Sequence, residues 1–556
     1  MSAILNNPHF RLLGYNRGFH YFLPLGQGQV YAHTARSLGN PANWADLGPL
    51  SFWEREFPGK TAGVNPVAAV HALIEASTAT GVYDPDRIRG RGAWLDDGRT
   101  VLHMGGRFVI DGLPSEDPPE GAYLYERAAD FGIPAAAPCG PQPMLAELAK
   151  AFNWTNPRSA NVLAGWCAAA FVPGAMINRP TLYLTAPSRS GKTTIIDQYI
   201  RRLLGPLALS VASQASTEAG IRQLLASDSR PVTYDEPETD SSGARERVQA
   251  IVDLARVSFS EDEARIAKGT TDHRGTTFAL RSMFVLASVK LALRQEQDVN
   301  RAAILRINRW NEADTRIHMP QLDAAIEKMG SLFTPQFRAG LLARLAGLIP
   351  VIRANAETCR RAITTRHGSG RLGQVFSTII AGHQALLHER RLTEAEAALL
   401  LDDFITEEAV EEAVAPEMKP ILDIASVPIL FQIGSERVDI PLSECIMIAT
   451  NKLVGRVHPD IIHEFLRRRG LVIQRGFLWI SNQAELFARM VDKDGTGASL
   501  ASRLLQVPGA VRSNGPMRFA AGAPNQRAVG VPLALFPADT RVPQVVVPFP
   551  TAMQGD

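Results

Sequence analysis

Apolar and polar residues are spaced differently in successive parts of the chain, and the first part predicts a mixed α+β domain. Between positions 8 and 34, aromatic residues are interspersed with polar residues, Gly and Pro, as in short strands joined by turns. The segment Pro66–Ala79 has helical periodicity, and Asn65 is placed to cap its first turn. Thr100–Ile110 has the pattern of a hairpin with glycines at its turn. We therefore expect an N-terminal α+β accessory domain over residues 1–140.

The next part of the chain predicts an α/β domain. The Ala- and Leu-rich stretch from Met144 to Ala170 has one interruption, at Asn156-Pro157, and indicates two helices. An apolar strand at Pro180–Thr185 follows, and strand-like and helix-like segments then alternate as far as Trp310. Such alternation is typical of helices packed on a parallel sheet. This domain is expected to span residues 141–312.

The last two parts of the chain also differ from each other in the spacing of their apolar and polar residues. Residues 316–415 are almost wholly helical by period, with a basic, Gly-containing break at Arg366–Arg371, and predict a helical domain over residues 313–415. Residues 416–556 return to an α+β pattern.

The C-terminal segment contains a pattern often found in duplex binders. Ser443–Leu453 and Pro459–Arg469 are predicted helices, and Leu471–Ser481 is a predicted hairpin that follows them. Two helices with a trailing hairpin indicate a winged-helix-like domain. The three arginines that close the second helix are equally well explained by the favourable charge at a helix C-terminus.

Composition limits the class of protein. A chain of 556 residues is too long for one core, and 46% hydrophobic with 21% charged residues is typical of a globular protein. No run of eighteen apolar residues and no basic, apolar leader are present, so we expect a cytoplasmic protein without a membrane partner. The four cysteines lie far apart, which argues against a zinc site and a disulfide framework. A net charge of +2 neither requires nor excludes a nucleic-acid partner.

The strongest chemical signal is a Gly-containing loop between the strand at Pro180–Thr185 and a predicted helix. It matches the Walker A pattern of phosphate-binding loops, with Ala in place of the first Gly. Gly191 would let successive backbone N–H groups face a phosphate, Lys192 would place a positive charge on the β- and γ-phosphates, and the Thr193 hydroxyl would bind Mg²⁺. We therefore predict that this loop binds ATP and Mg²⁺. Its nine residues are Ala186, Pro187, Ser188, Arg189, Ser190, Gly191, Lys192, Thr193 and Thr194.

A second anchor for Mg²⁺ is expected further along the chain. A short apolar strand ends in the adjacent carboxylates Asp235 and Glu236. Asp235 would bind the metal, directly or through water, and Glu236 would orient the attacking water as general base. The alternative is a pair of solvated surface charges.

Two further residues fit roles in hydrolysis. Ser288 is the last polar residue of the strand that begins near Arg281, where it would contact the γ-phosphate as a sensor. Arg301 immediately precedes another apolar strand, and an arginine at that place in ring ATPases stabilises charge on a neighbouring subunit's γ-phosphate. Arg294 is the second choice for this role. A strand end in serine and a surface salt bridge are the simpler alternatives.

The order of these parts resembles the superfamily 3 helicases, which are AAA+ motors of viral, phage and satellite replication. The resemblance covers about residues 175–310, and the serine at position 288 departs from the asparagine usual in the viral members. It implies a P-loop motor of the AAA+ class that works as a ring, expected to be a hexamer, because ATP sites in such motors lie between subunits. Priming, where needed, would come from a separate primase or other replication protein.

A basic hairpin between the two carboxylates and the sensor strand carries the expected DNA contacts. Strand-prone flanks surround a polar tip over residues 264–278. In superfamily 3 rings a lysine and a histidine of the corresponding hairpin hold the DNA backbone, which implies that role for Lys268 and His273, with Arg274 adding charge. An ordinary solvated hairpin is the alternative.

These observations together predict an ATP-dependent DNA helicase of phage-type replication. One alternative is a replication initiator or loader that uses ATP as a switch, although a switch has no need for a basic hairpin inside a channel. A DNA-packaging ATPase is another, but it calls for a nuclease domain with clustered carboxylates after the motor, and none is evident.

Overall fold

A computed structural model of the chain has a mixed α/β architecture. It describes residues 2–187, 190–212, 217–235, 242–260, 265–269, 275–288, 298, 300–414, 419–433, 436–491, 497–519 and 524–536. The chain divides into two compact units, Met1–Val414 and Ala415–Asp556. Among the described helices, none is long and apolar enough to cross a membrane.

The first unit begins with a small antiparallel sheet that has its own apolar core. Its three strands pair in the order β1-β2-β3, and the helix Pro66–Thr80 packs on β1. The predicted helix and its cap are confirmed, because the Asn65 side chain accepts a hydrogen bond from the backbone N–H of Ala68. The strands are β1 (Phe10–Asn16), β2 (Phe19–Pro24) and β3 (Tyr31–Thr34), and the other helices are Ser2–Leu5, Ala35–Leu38, Pro41–Trp44, Leu50–Glu56 and Pro85–Arg87.

A second antiparallel sheet of four strands follows, in the order β5-β6-β7-β8. The predicted hairpin is confirmed, since Val101 of β6 lies opposite Ile110 of β7. Gly105 at its turn has a φ of +121°, and a Cβ there would meet the Ala129 carbonyl oxygen at 2.7 Å, so only glycine fits. The strands are β5 (Gly92–Asp96), β6 (Arg99–His103), β7 (Phe108–Ile110) and β8 (Leu113–Ser115), and β4 (Ile88–Arg89) pairs in parallel with β9 (Leu124–Tyr125).

This second sheet is fixed to the α/β part of the same unit. The Arg91 guanidinium donates to Asp228 Oδ2 at 2.6 Å, and the backbone N–H of Ser229 donates to the Arg91 carbonyl. Ala93 and Leu102 belong to the same apolar cluster as the helices that flank the parallel sheet. The second antiparallel sheet and the α/β part therefore share a core.

A five-stranded parallel sheet forms the centre of the first unit, which confirms the predicted α/β pattern. Its order is β11-β12-β15-β10-β16, so β15 lies between β10 and β12. The strands are β10 (Thr181–Thr185), β11 (Leu209–Ala212), β12 (Val232–Asp235), β15 (Phe284–Ser288) and β16 (Ala302–Arg306). A separate antiparallel pair, β13 (Arg265–Gly269) and β14 (Gly275–Ala279), falls between β12 and β15 in the sequence.

Apolar side chains of β10 alternate between the two faces of this sheet. Leu182 and Leu184 belong to the larger cluster, whereas Tyr183 belongs to a cluster with Val232 and Ile251. Both faces are therefore covered, as expected for a parallel sheet. The helices of this region are Met144–Ala149, Ser159–Ala170, Pro173–Ala175, Lys192–Thr194, Ile195–Arg201 (π-helical), Arg202–Leu204, Gly205–Leu207, Glu218–Leu225 and Ser242–Val257.

Helices dominate the last part of the first unit. The predicted break at Arg366–Arg371 is confirmed, since one helix ends at His367, Gly368 follows with a φ of +67°, and the next helix begins at Gly370. The helices are Glu312–Leu332, Pro335–Gly347, Ile349–His367, Gly370–Leu387, Glu394–Leu400, Leu401–Asp403 and Glu407–Val414.

The second unit is an α+β domain with its own core. The two predicted helices and the hairpin after them are present as Leu442–Ala449, Pro459–Arg468 and the antiparallel pair β19-β20, and β20 also pairs with β22. The strands are β17 (Pro428–Ile433), β18 (Glu436–Pro441), β19 (Leu471–Gln474), β20 (Phe477–Ser481), β21 (Val511–Arg512) and β22 (Ala528–Pro532), and the other helices are Lys419–Ala425, Glu485–Val491, Gly497–Leu504 and Leu533–Leu535.

Candidate functional site

The carboxyl ends of the parallel strands meet at one edge of the central sheet. Thr185, the last residue of β10, lies in register with Ser288 of β15 and Arg306 of β16, and Asp235 ends β12. In open parallel sheets, ligands bind outside this edge. The segment from Ala186 to Thr194, called the Gly191 loop below, leaves β10 at the same edge.

The backbone of the Gly191 loop turns back into a helix. Gly191 has a φ of +91°, in the left-handed region that glycine adopts without strain, and the helix begins at Lys192. The Ser190 hydroxyl donates to the Pro187 carbonyl at 2.6 Å. Lys192 is only 9% exposed, and its Nζ donates to the Ala186 carbonyl at 3.0 Å. The lysine side chain is therefore folded back over the loop that precedes it.

A hydrogen bond joins this helix to β12. Thr193 Oγ1 donates to Asp235 Oδ2 at 3.0 Å, although the two residues lie far apart in the sequence. Burial raises the pKa of the Asp235 carboxyl above its ordinary value, while the Thr193 hydrogen bond and the Arg201 charge act in the opposite direction. The Asp235 carboxylate is thus partly desolvated, and a nearby positive charge stabilises its ionised form.

The donor set at this point suits a hard divalent cation. The Thr193 hydroxyl and the Asp235 carboxylate are both oxygen ligands, which Mg²⁺ prefers. Mg²⁺ usually takes one or two protein oxygens and completes its shell with water and substrate phosphates. Among the described residues there is no group of three or more His, Cys, Asp and Glu that could hold a metal ion.

The structure places the predicted sensor residue at the same edge. Ser288 is 5% exposed, and its Oγ lies 2.7 Å from the Tyr183 hydroxyl. Tyr183 belongs to β10, so this pair links the strand before the Gly191 loop to β15. The sensor role of Ser288 stays a prediction.

Arg301 lies at the other edge of the sheet. It immediately precedes β16, and its carbonyl accepts a hydrogen bond from the N–H of Thr181 at the start of β10. Its guanidinium carbon is 5.7 Å from the centre of the Phe259 ring. A five-residue strand spans about 13 Å at 3.3 Å a step. Arg301 and Lys192 of one chain are therefore not brought together.

The remaining predicted residues fall wholly or partly outside the described part of the chain. For Lys268 the backbone is described, and it lies in β13 opposite Thr276 of β14. The residues outside the described part are Ser188, Arg189, Glu236, His273, Arg274 and Arg294, which is the second choice for the role predicted for Arg301.

One residue of this site could not be predicted from the sequence. Arg201, in the helical segment that begins at Lys192, donates from Nε to the Thr233 hydroxyl of β12 at 2.9 Å. No motif marks this position, because its partner is brought close only by the packing of the helix on the sheet.

Several solved structures are similar to this chain at low sequence identity. The structure described as "SCCmec type IV Cch - active helicase" matches with 10% identity and a TM-score of 0.43 over 93% of this chain and 90% of that chain. Two structures described as apo forms of the "NrS-1 C terminal region" match with 10% identity each. One covers 78% of this chain and 97% of that chain with a TM-score of 0.31, and the other covers 95% and 98% with 0.32. No protein-family model and no curated protein matches the chain. Similarity this low carries no inference about activity.

Proposed function

We propose that the chain is an ATP-dependent DNA helicase of phage-type replication, built on an AAA+ motor. The observation that carries this proposal is the hydrogen bond from Thr193 to Asp235, which joins the Gly191 loop to the end of β12. A hydroxyl and a carboxylate so placed, beside a lysine in a glycine-turned loop, form the donor set that a Mg²⁺–ATP complex requires.

The chain's own groups would bind and orient the phosphates. Backbone N–H groups at the start of the Lys192 helix attract an anion, because they have no partner within the helix and the helix dipole adds positive charge there. Lys192, which contacts the Ala186 carbonyl in this structure, would exchange that contact for phosphate oxygens. Nucleotide binding would thus move a side chain that already lies over the loop.

Thr193 and Asp235 would hold Mg²⁺, which when bound supplies positive charge to the β- and γ-phosphates. Glu236, the next residue after β12, would accept a proton from the attacking water. Ser288, at the end of the neighbouring strand, would contact the γ-phosphate. Its hydroxyl contacts the Tyr183 hydroxyl, so a movement of Ser288 on phosphate binding would be transmitted to β10, the strand before the Gly191 loop.

The position of Arg301 supports a ring. It lies at the amino ends of the strands, whereas the Gly191 loop leaves the carboxyl ends. A role for Arg301 at the γ-phosphate therefore requires a second copy of the chain, as in a ring of subunits, which we propose to be a hexamer. Each ATP site would then be completed by a neighbour, and hydrolysis would depend on assembly.

DNA would be held by the hairpin β13–β14. Lys268 lies in β13, one residue before the strand ends, and His273 and Arg274 follow in the sequence between the strands. Contacts from these side chains to phosphates are independent of base sequence, which suits a motor that steps along any strand. The two helices and hairpin of the second unit would add a winged-helix-like duplex contact, and priming would come from a separate protein.

A strand-displacement assay on forked DNA tests the proposal. Purified protein with ATP and Mg²⁺ should release the displaced strand, and ATPγS should not support release. The Lys192→Ala variant provides the control for contaminating helicases. Nucleotide hydrolysis without any strand release, over a range of fork designs, would instead favour an initiator or loader that uses ATP as a switch.

A further inference from the structure

Arg201 makes two side-chain contacts at the base of the candidate nucleotide site. It ends the π-helical stretch of the segment that starts at Lys192. Its Nε donates to Thr233 Oγ1 at 2.9 Å, and its Nη1 donates to Asp197 Oδ1 at 2.7 Å. The guanidinium is therefore held on one side by its own helix and on the other by β12.

Thr233 lies on the same face of β12 as Asp235. Side chains two residues apart in a strand point to the same side of the sheet. Thr233 is fully buried, and its hydroxyl also donates to Ser210 Oγ of β11 at 3.3 Å. The helical segment that begins at Lys192 thus contacts this face of β12 at two places, through Thr193 to Asp235 and through Arg201 to Thr233.

These two contacts constrain the same geometry. A single hydrogen bond between Thr193 and Asp235 leaves the strand free to shift or turn slightly relative to the helix. A second bond, made by a planar guanidinium to a buried hydroxyl, fixes the separation and the tilt of helix and strand. Each of these two hydrogen bonds has one charged partner, the Asp235 carboxylate in one and the Arg201 guanidinium in the other, and such bonds are stronger than those between neutral groups.

The charges in this region support the same arrangement. The positive charge of Arg201 lowers the pKa of the Asp235 carboxyl, whereas the negative charge of Asp197 raises it. Because Arg201 pairs with Asp197, it offsets the repulsion between these two carboxylates. Loss of Arg201 would leave Asp197 to oppose a charged Asp235.

We propose that Arg201 is a positioning residue. It holds Asp235 in place relative to Thr193, so that the Thr193 hydroxyl and the Asp235 carboxylate are already positioned to bind a nucleotide-bound Mg²⁺. Arg201 acts through Thr233 and the strand, without touching nucleotide or metal. The proposal rests on the proposed function, since it assigns Thr193 and Asp235 to Mg²⁺.

The test compares nucleotide binding with and without Mg²⁺. A fluorescent N-methylanthraniloyl-ATP is titrated into the full chain in Mg²⁺ and in EDTA, and the ratio of the two dissociation constants is the gain from the metal. Partners that orient metal ligands typically change metal affinity 10- to 100-fold. Arg201→Gln should therefore reduce this gain about tenfold, while binding in EDTA stays near that of the wild type. Arg201→Lys keeps the positive charge and a hydrogen-bond donor group, so it should recover part of the gain from the metal.

Arg202→Gln is the matched control. Arg202 is the next residue of the same helical segment, also half-buried, and its guanidinium lies beside Gly330 in a different helix. Thr233→Val removes the partner hydroxyl at nearly constant volume. This variant should reproduce the loss seen in Arg201→Gln, and the double variant should show little further loss because both changes remove the same Arg201–Thr233 hydrogen bond.

Several outcomes would overturn the proposal. One is that Mg²⁺ increases nucleotide affinity in Arg201→Gln and Thr233→Val as much as in the wild type. Another is that Arg202→Gln loses as much of this Mg²⁺-dependent affinity as Arg201→Gln does. A third is that nucleotide binding in EDTA weakens to the same extent, which is expected of a general defect in packing. A variant that fails to fold is replaced by Arg201→Lys or Thr233→Val, which leave the test intact. Absence of any Mg²⁺ gain in the wild type would reject the proposed metal role of Thr193 and Asp235 as well, whereas a normal gain with insensitive variants rejects only the role of Arg201.

Discussion

Substitution of Asp235 by Asn should have opposite effects on the free protein and on the nucleotide-bound protein. Burial raises the pKa of this carboxyl above its ordinary value, so the folded protein disfavours the ionised form. An acid whose pKa is raised by folding costs stability at every pH above that raised pKa, and the cost disappears as the pH falls below the unfolded value. At neutral pH, Asp235→Asn removes this cost and should raise the melting temperature of the nucleotide-free protein. Asn can still accept the Thr193 hydrogen bond, so the local shape is kept.

The effect on ligand-induced stabilisation is expected to be larger. A ligand present at 100 times its dissociation constant stabilises the fold by about 2.7 kcal/mol. For domains of 150–250 residues, 1 kcal/mol corresponds to about 2–4 °C in melting temperature, and the larger first unit should lie at or below the lower value. Mg²⁺ with ATPγS should therefore raise the melting temperature of the wild type by about 5 °C. Asp235→Asn should lose the part of this shift that depends on Mg²⁺.

Thermal melts in four conditions, with and without ATPγS and with and without Mg²⁺, measure both effects. Asp253→Asn is a suitable control, because Asp253 is a half-buried carboxylate in the helix Ser242–Val257 and pairs there with Arg256. The Mg²⁺-dependent shift of the wild type should also fade on acidification, because protonation of the Asp235 carboxyl competes with Mg²⁺ binding. A full Mg²⁺-dependent shift in Asp235→Asn, or a marked fall in its nucleotide-free melting temperature, would refute the reasoning.

Other substitutions separate binding, hydrolysis and coupling to DNA. Glu236→Gln should still bind Mg²⁺–ATP but stall in hydrolysis, and normal turnover in a steady-state assay would place the general base elsewhere. Arg301→Ala and Lys192→Ala should each be inactive, but mixed rings should recover partial ATPase activity at composite sites, and no recovery after verified co-assembly would contradict a role between subunits. Replacing Lys268 and His273 by Ala should spare basal hydrolysis, abolish strand separation and reduce the salt dependence of single-strand binding by roughly one to two units of log–log slope. Full unwinding by that double variant would show that the hairpin has a structural role and does not hold DNA.

Local patterns explain why many elements could be predicted. The helix Pro66–Thr80 and the hairpin of β6 and β7 are specified by capping, turn residues and periodicity within a few positions. The Gly191 loop is a signal of the same kind, because a strand, a glycine-turned loop and a helix follow one another in the sequence. Such features are visible before any long-range contact is known.

Contacts between distant residues could not be predicted in this way. The insertion of β15 between β10 and β12 depends on strand pairing, which no local pattern encodes. The ion pair of Arg91 and Asp228 joins two regions that the sequence pattern predicts as separate domains, and each residue by itself resembles an ordinary surface charge. Arg201 and Thr233 meet for the same reason, through packing of a helix on a sheet.

The most direct test of the proposed nucleotide site is steady-state ATP hydrolysis by the wild type and by Lys192→Ala, each in Mg²⁺ and in EDTA. Lys192 contributes charge at the loop, and its Nζ donates to the backbone carbonyl of Ala186, so the variant should fold normally. We expect Mg²⁺-dependent hydrolysis by the wild type and its loss in Lys192→Ala. Hydrolysis by Lys192→Ala at the wild-type rate, in protein free of contaminating ATPases, would contradict the assignment of the Gly191 loop to ATP.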